Sequence, residues 1–131
     1  MNGATISIDA TKNEIDFLIT VAGADRCFDD QTVAVAFFEG GRQRFNLRNA
    51  ATMNCEGLFH TIGRNTQVTP SFLSRLMRMK VASFKITGRD KKEIEITLTP
   101  EQQQQFFDLC ACIAAEAKTL LPPPPPPAPA N

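Results

Sequence analysis

The sequence lacks tryptophan and tyrosine altogether and contains a single histidine, His60. With one imidazole, the chain has no histidine pair to bind a metal and no visible acid–base relay. The phosphate-binding loop of nucleotide hydrolases, the serine elbow of hydrolases and the HExxH signature of zinc peptidases are also missing. We therefore expect a protein that is not an enzyme, with no catalytic residues, no cofactor and no metal site.

Long apolar runs are absent as well. No stretch approaches the roughly 18 apolar residues that a membrane-spanning helix needs. The N-terminal residues 1–5 lack both the basic region and the apolar region of a secretory signal. We therefore expect a cytoplasmic protein with no membrane partner, with a mature periplasmic form that has lost its signal as the alternative.

Cysteine is scarce, and nothing in its spacing requires a disulfide. Cys110 and Cys112 are two residues apart on a predicted helix, so their side chains point to nearly opposite sides and cannot pair. Cys27 and Cys55 fall in predicted loops, and the sequence leaves open whether they approach each other. We expect all four thiols to be reduced, with Cys110 as a small core residue.

Alternation of apolar and polar residues is the main structural signal. It predicts strands at residues 5–9, 14–22, 32–38, 42–48, 81–87 and 93–98. Helices are predicted at residues 70–79 and 100–119, the second opened by a capping box of Thr99 and Gln102 with Pro100 at the first helical position. The predicted fold class is α+β: a curved antiparallel sheet of about six strands, packed by a long C-terminal helix and one shorter helix.

The segment between residues 49 and 67 is the hardest to interpret. Glycines at 57 and 63 predict turns, and Leu58, Phe59 and Ile62 are expected to be buried. A short helix over residues 50–53 or 56–60 is our interpretation of this segment.

The chain divides by composition into two parts. Residues 1–121 are predicted to form one α+β domain. Residues 122–131 begin with six consecutive prolines and predict an extended polyproline II tail. Such a tail is either a preordered ligand for an aromatic-lined groove or a spacer, and both alternatives stay open.

The net charge of zero conceals a strong segregation. Residues 41–92 carry eleven Lys or Arg against two acidic residues, a net charge of +9. The preceding segment, 1–40, has a net charge of −5, and the segment 93–131 has a net charge of −4. Because the basic residues concentrate in the middle of the chain, we expect a cationic surface in the folded protein.

The predicted binding residues come from this basic middle. Arg42, Arg44 and Arg48 alternate along one strand and so share a face, and Lys85 and a basic turn lie on a later hairpin. If these two strands adjoin, they form one cationic platform. The candidate binding residues are Arg42, Arg44, Arg48, Lys85, Arg89, Lys91 and Lys92, with Arg75 and Arg78 of the first helix at lower weight.

Three functions are compatible with such a platform. The first is a non-catalytic adaptor that recognises a protein partner through the basic sheet face or edge. The second is binding of single-stranded nucleic acid along the Arg42/Arg44/Arg48 face, where arginine spacing approaches the phosphate repeat but base stacking would have to come from phenylalanine. The third is an inhibitor or immunity-type protein. The oligomeric state stays open, with a dimer through a sheet edge as one alternative, and a plain solvated face is the alternative to any recognition.

Overall fold

The computed structural model describes residues 3–22, 27–50, 53–88 and 91–122. This part of the chain forms seven strands and two helices. In chain order they are β1 (Ala4–Ala10), β2 (Glu14–Val21), β3 (Val33–Phe38), β4 (Arg44–Arg48), β5 (Leu58–Arg64), α1 (Ser71–Leu76), β6 (Val81–Thr87), β7 (Glu93–Thr97) and α2 (Pro100–Thr119).

The strands form two antiparallel sheets that, over the described chain, do not close into a barrel. The smaller sheet has the strand order β1-β2-β5, and the larger has the order β4-β3-β6-β7. The predicted α+β class, the antiparallel pairing and the long C-terminal helix are therefore confirmed.

Alternation along the strands produces the core. Alternate side chains along the strands point inward, and the inward set is mostly apolar, with Thr61 of β5 as a buried polar member. The fully buried inward residues include Ile15, Phe17 and Ile19 of β2, Phe59 of β5, Ala34 and Ala36 of β3, Phe84 and Ile86 of β6 and Ile96 of β7.

Three phenylalanines join the two sheets to the long helix. The ring centroids of Phe17 and Phe84 are 5.7 Å apart, and the ring of Phe106 on α2 lies 6.0 Å from Phe17 and 5.7 Å from Phe84. Aromatic pairs at these separations add about 0.5–1.5 kcal/mol each beyond the apolar area they bury. Helix α2 thus packs against β1 and Phe17 of the smaller sheet and against the inner face of β6 in the larger sheet, opposite to the outer face of the larger sheet.

The start of α2 follows the predicted capping box. The Thr99 hydroxyl accepts a hydrogen bond from the backbone N–H of Gln102 at 3.2 Å, and the side-chain Oε1 of Gln102 accepts one from the backbone N–H of Thr99 at 2.9 Å. Phe106, Cys110 and Ala117 of α2 are buried, whereas Leu120, just after the helix, is 39% exposed.

Within residues 49–67, the expected burial of Phe59 is confirmed, but the helix expected over residues 56–60 was wrong. No helix forms over residues 56–60; instead Leu58–Arg64 is the strand β5, paired with β2. The helix considered over residues 50–53 falls partly on residues 51 and 52, outside the described chain. Ile62 is 42% exposed rather than buried, because it lies on the outer face of β5. Gly63 is part of the strand and not a turn, since it pairs with Ile15 of β2. A Cβ at this position would come within 2.7 Å of both Pro70 and Phe72, so the close approach of α1 requires glycine here.

The expectation that all four cysteines are reduced was also wrong. Cys27 and Cys55 form a disulfide, while Cys110 and Cys112 are free. Phe28 and Asn54 exchange two backbone hydrogen bonds of 2.8 and 3.0 Å beside the disulfide. This isolated bridge brings together two loops that are distant in the sequence, which is why the sequence alone did not predict the pairing.

Candidate functional site

Strand β4 presents its basic residues on the outer face of the larger sheet. Arg44, Asn46 and Arg48 alternate with Phe45 and Leu47, which point to the inner face. All three outward side chains are exposed. Within the described residues, neither arginine has a carboxylate within salt-bridge distance. We call Arg44 and Arg48 the arginine row; the exposed Arg42 precedes it in the turn after β3.

An apolar stripe lies directly beside the arginine row. The backbone register places Phe37 opposite Arg44 and Val33 opposite Arg48, with Val35 between them. Directly opposite residues of an antiparallel pair share a face, so these β3 side chains also point outward. They are half-buried, and the aromatic contact of α2 with this sheet, between Phe106 and Phe84, lies on the opposite face. We call Val33, Val35 and Phe37 the apolar stripe.

The predicted continuous cationic platform does not form, because β3 separates the two basic strands. Strands β4 and β6 belong to one sheet, but β3 lies between them. The Lys85 Nζ is 3.0 Å from the Glu93 carboxylate of β7, and Glu95 is the backbone partner of Lys85. The chemistry of the outer face therefore changes from strand to strand. In the described chain, β4 presents arginines without a salt-bridge partner, β3 presents apolar side chains, and β7 presents exposed carboxylates.

The remaining predicted residues lie at the ends or on other faces. Lys91 and Lys92 are exposed in the turn between β6 and β7, and Lys91 lines an open cleft of about 400 Å³ that also contacts Val33 and Thr87. Lys91 is thus close to one end of the apolar stripe. Arg89 lies outside the described residues, as does the proline tail after Pro122.

The two arginines of the α1 region do not join the outer face. The Arg75 guanidinium carbon lies 5.4 Å from the centroid of the Phe45 ring, and Phe45 points to the inner side of β4. This is a cation–π contact on the opposite side of the sheet from Arg44 and Arg48. Arg78 is exposed just after α1. Neither residue extends the arginine row.

A polar pair on the smaller sheet escaped prediction. The His60 Nε2 lies 2.8 Å from the Asp16 Oδ1, across the β2–β5 pair. Nothing in the sequence signals this contact, because it depends on the register of a strand that the sequence did not reveal. Among the described residues, no group of three or more His, Cys, Asp or Glu side chains is arranged to hold a metal.

Comparisons with protein-family models, curated proteins and solved structures gave no match to this chain. Of the helices described, none has the length and apolar character required to cross a bilayer.

Proposed function

We propose that this protein is a non-catalytic binding module that recognises an acidic protein partner through the outer face of the larger sheet. The observation that carries the proposal is the arginine row: Arg44 and Arg48 are exposed, share one face and have no carboxylate within salt-bridge distance in the described chain. Cations left without partners beside an apolar surface favour an acidic protein, because complementary charge steers association and selects partners.

Face recognition is better supported than edge recognition. The carbonyl of Arg48 accepts a hydrogen bond of 2.9 Å from the Thr61 hydroxyl, and the Ala50 N–H donates to the His60 carbonyl. Strand β5 therefore occupies the place that an added strand would take at this end of β4. At the other edge of the sheet, β7 exposes Glu93 and Glu95, and antiparallel pairing of two β7 strands would place carboxylates against each other.

The proposal is tested by affinity capture with matched charge variants. The double variant R44E/R48E should lose its acidic protein partners, while R64E, which reverses an exposed arginine on the smaller sheet, should retain them. A partner identified in this way is then purified, and its Kd should rise by about tenfold or more for R44E/R48E. An unchanged set of partners for R44E/R48E would refute the proposal.

Single-stranded nucleic acid is the second candidate, favoured by one specific observation. Phe37, the backbone partner of Arg44, is a half-buried aromatic ring on the same face as the arginine row. A base could stack on it while the arginines contact phosphates. Titration with fluorescent oligonucleotides at two salt concentrations decides the matter, because phosphate recognition produces a steep loss of affinity with salt.

We also propose an oxidising compartment, in place of the expected cytoplasm. The Cys27–Cys55 disulfide supports this, because disulfides persist in the periplasm and in secreted proteins and are rare in the cytosol. The third function considered from the sequence, an inhibitor or immunity-type protein, gains no support from a particular contact and stays a prediction.

A further inference from the structure

We infer that the partner of the outer face is an amphipathic acidic helix that lies along β3, with apolar side chains on the apolar stripe and carboxylates on the arginine row. This inference rests on the proposed function and specifies the chemistry and secondary structure of the partner. It depends on the juxtaposition of Val33, Val35 and Phe37 with Arg44 and Arg48.

The charges on the two sides of the apolar stripe differ, and this difference favours a ligand that is acidic along one flank. The stripe is bordered on the β4 side by unpaired arginines and on the β6 side by Lys85, whose charge is matched by Glu93. A ligand that is acidic on both flanks would meet, on the β6 side, Lys85 that is already paired with Glu93, and beyond it the carboxylates of β7. The surface therefore complements a ligand with one apolar side and carboxylates along a single flank.

The hydrogen-bonding groups in the backbone of the bound segment also favour a helix. A segment lying on the face of a sheet finds no free backbone N–H or C=O groups there, because those groups lie in the plane of the sheet. An extended segment would leave its own backbone groups without partners on the side that contacts the sheet. A helix satisfies its backbone hydrogen bonds internally, and helix-in-groove binding uses this property.

The length of the apolar stripe suits a short helix. From Val33 to Phe37 the stripe extends over four strand intervals, about 13 Å at the usual rise of a strand. That distance corresponds to about nine residues of helix. Apolar residues at positions i, i+4 and i+8 of the partner would span the stripe, and Glu or Asp on the adjoining flank would reach Arg44 and Arg48. Lys91, at the Val33 end, lies close enough to the stripe to contact a further carboxylate.

The test uses a synthetic helical peptide of about 18 residues, with leucine on one side and glutamate along one flank. A second peptide has the same composition in an order that destroys the amphipathic pattern. Binding is measured by isothermal titration calorimetry to the full chain. We expect the amphipathic peptide to bind about tenfold more tightly than the scrambled one, and this preference should disappear in F37S.

Backbone chemical shifts of the wild-type protein provide a second readout that needs no variant. Chemical-shift changes caused by the amphipathic peptide should concentrate on β3 and β4. In the calorimetric titration, the control variant R64Q, which changes an arginine on the smaller sheet, should bind the peptide as the wild type does. Equal binding of both peptides would overturn the helix inference while leaving recognition of an acidic partner intact. Absence of binding by either peptide, or shifts on the smaller sheet, would also overturn the inference, and the capture experiment with R44E/R48E decides separately whether the proposed function stands.

Discussion

At the scale of single residues, the neighbouring strand decides which cations are available. Arg44 and Lys85 give the same signal in the sequence, a basic residue at an alternating position of a strand. In the fold, Lys85 sits beside β7 and its Nζ reaches Glu93 at 3.0 Å, whereas the neighbour of Arg44 on β3 is Phe37. Availability for binding is therefore a property of strand order and not of residue type.

The two free cysteines differ in reactivity for a reason that is also local. Burial raises the pKa of the Cys110 thiol from 9.0 to about 12, while Cys112 is exposed on the same helix. Iodoacetamide at pH 8.5 should therefore modify Cys112 and spare Cys110 in the folded protein, because the thiolate is the reactive species. Mass spectrometry of the alkylated protein checks this, and C112S should remain unmodified until it is unfolded.

The same raised pKa has a consequence for stability. The folded state favours the neutral thiol of Cys110, so the contribution of this group is fully present below the unfolded pKa near 9 and is lost as the pH rises toward 12. Alkaline denaturation of C110A should consequently begin from a lower stability but show a shallower dependence on pH in that range. An identical slope for C110A and the wild type would contradict this expectation.

At the scale of elements, α2 owes its start to local chemistry and its position to packing. The capping box satisfies backbone N–H groups at the first turn, and the buried face with Phe106, Cys110 and Ala114 fixes the helix against the sheets. Strand β5, in contrast, was not predicted from its local sequence. Its segment combines the strand-favouring residues Phe59, Thr61 and Ile62 with a glycine at position 63, and it forms a strand in antiparallel pairing with β2.

The capping box gives a prediction for this element. T99A should lower the free energy of unfolding by about 1 kcal/mol, because it removes the hydroxyl that accepts the Gln102 N–H. T99S keeps the hydroxyl and serves as the matched control, with stability close to that of the wild type. Urea denaturation followed by circular dichroism measures both, and equal destabilisation by the two substitutions would show that the cap is not the cause.

At the scale of the whole molecule, the disulfide links the loop after β2 to the loop before β5, next to the backbone bridge between Phe28 and Asn54. Cys27 and Cys55 are separated by 28 positions, and the fully buried Phe28 lies next to the bond. Closing a loop of this size restricts the unfolded chain, which is the main source of disulfide stabilisation in the chain-entropy account.

Reduction should therefore lower the stability of the whole molecule. We expect the free energy of unfolding to fall by about 2–4 kcal/mol when a phosphine reductant is added, with C27S/C55S equally destabilised and no longer sensitive to the reductant. Urea titrations with and without reductant measure the difference. A wild-type protein whose unfolding midpoint ignores the reductant would argue against the disulfide.

The charge segregation along the chain predicts a cationic surface, but the arrangement of these charges in space was not predictable from the sequence. The sequence predicted a platform shared by two basic strands, and the structure inserts β3 between them. The arginine row follows from period-two alternation alone, whereas the apolar stripe beside it depends on the β3–β4 register. Arg75 shows the same limit, since its contact with Phe45 places it on the other side of the sheet.

The sequence by itself determined the local features of this protein: the alternating strands, the capped helix α2, the α+β class and the shared face of Arg44 and Arg48. These follow from periodicity and capping, which act between residues a few positions apart. The tertiary structure alone decided the strand order, the existence of β5, the Cys27–Cys55 bond and the pairing of Lys85 with Glu93. Each of these joins segments brought together only when the core is buried, so no pattern within a short window of sequence contains them.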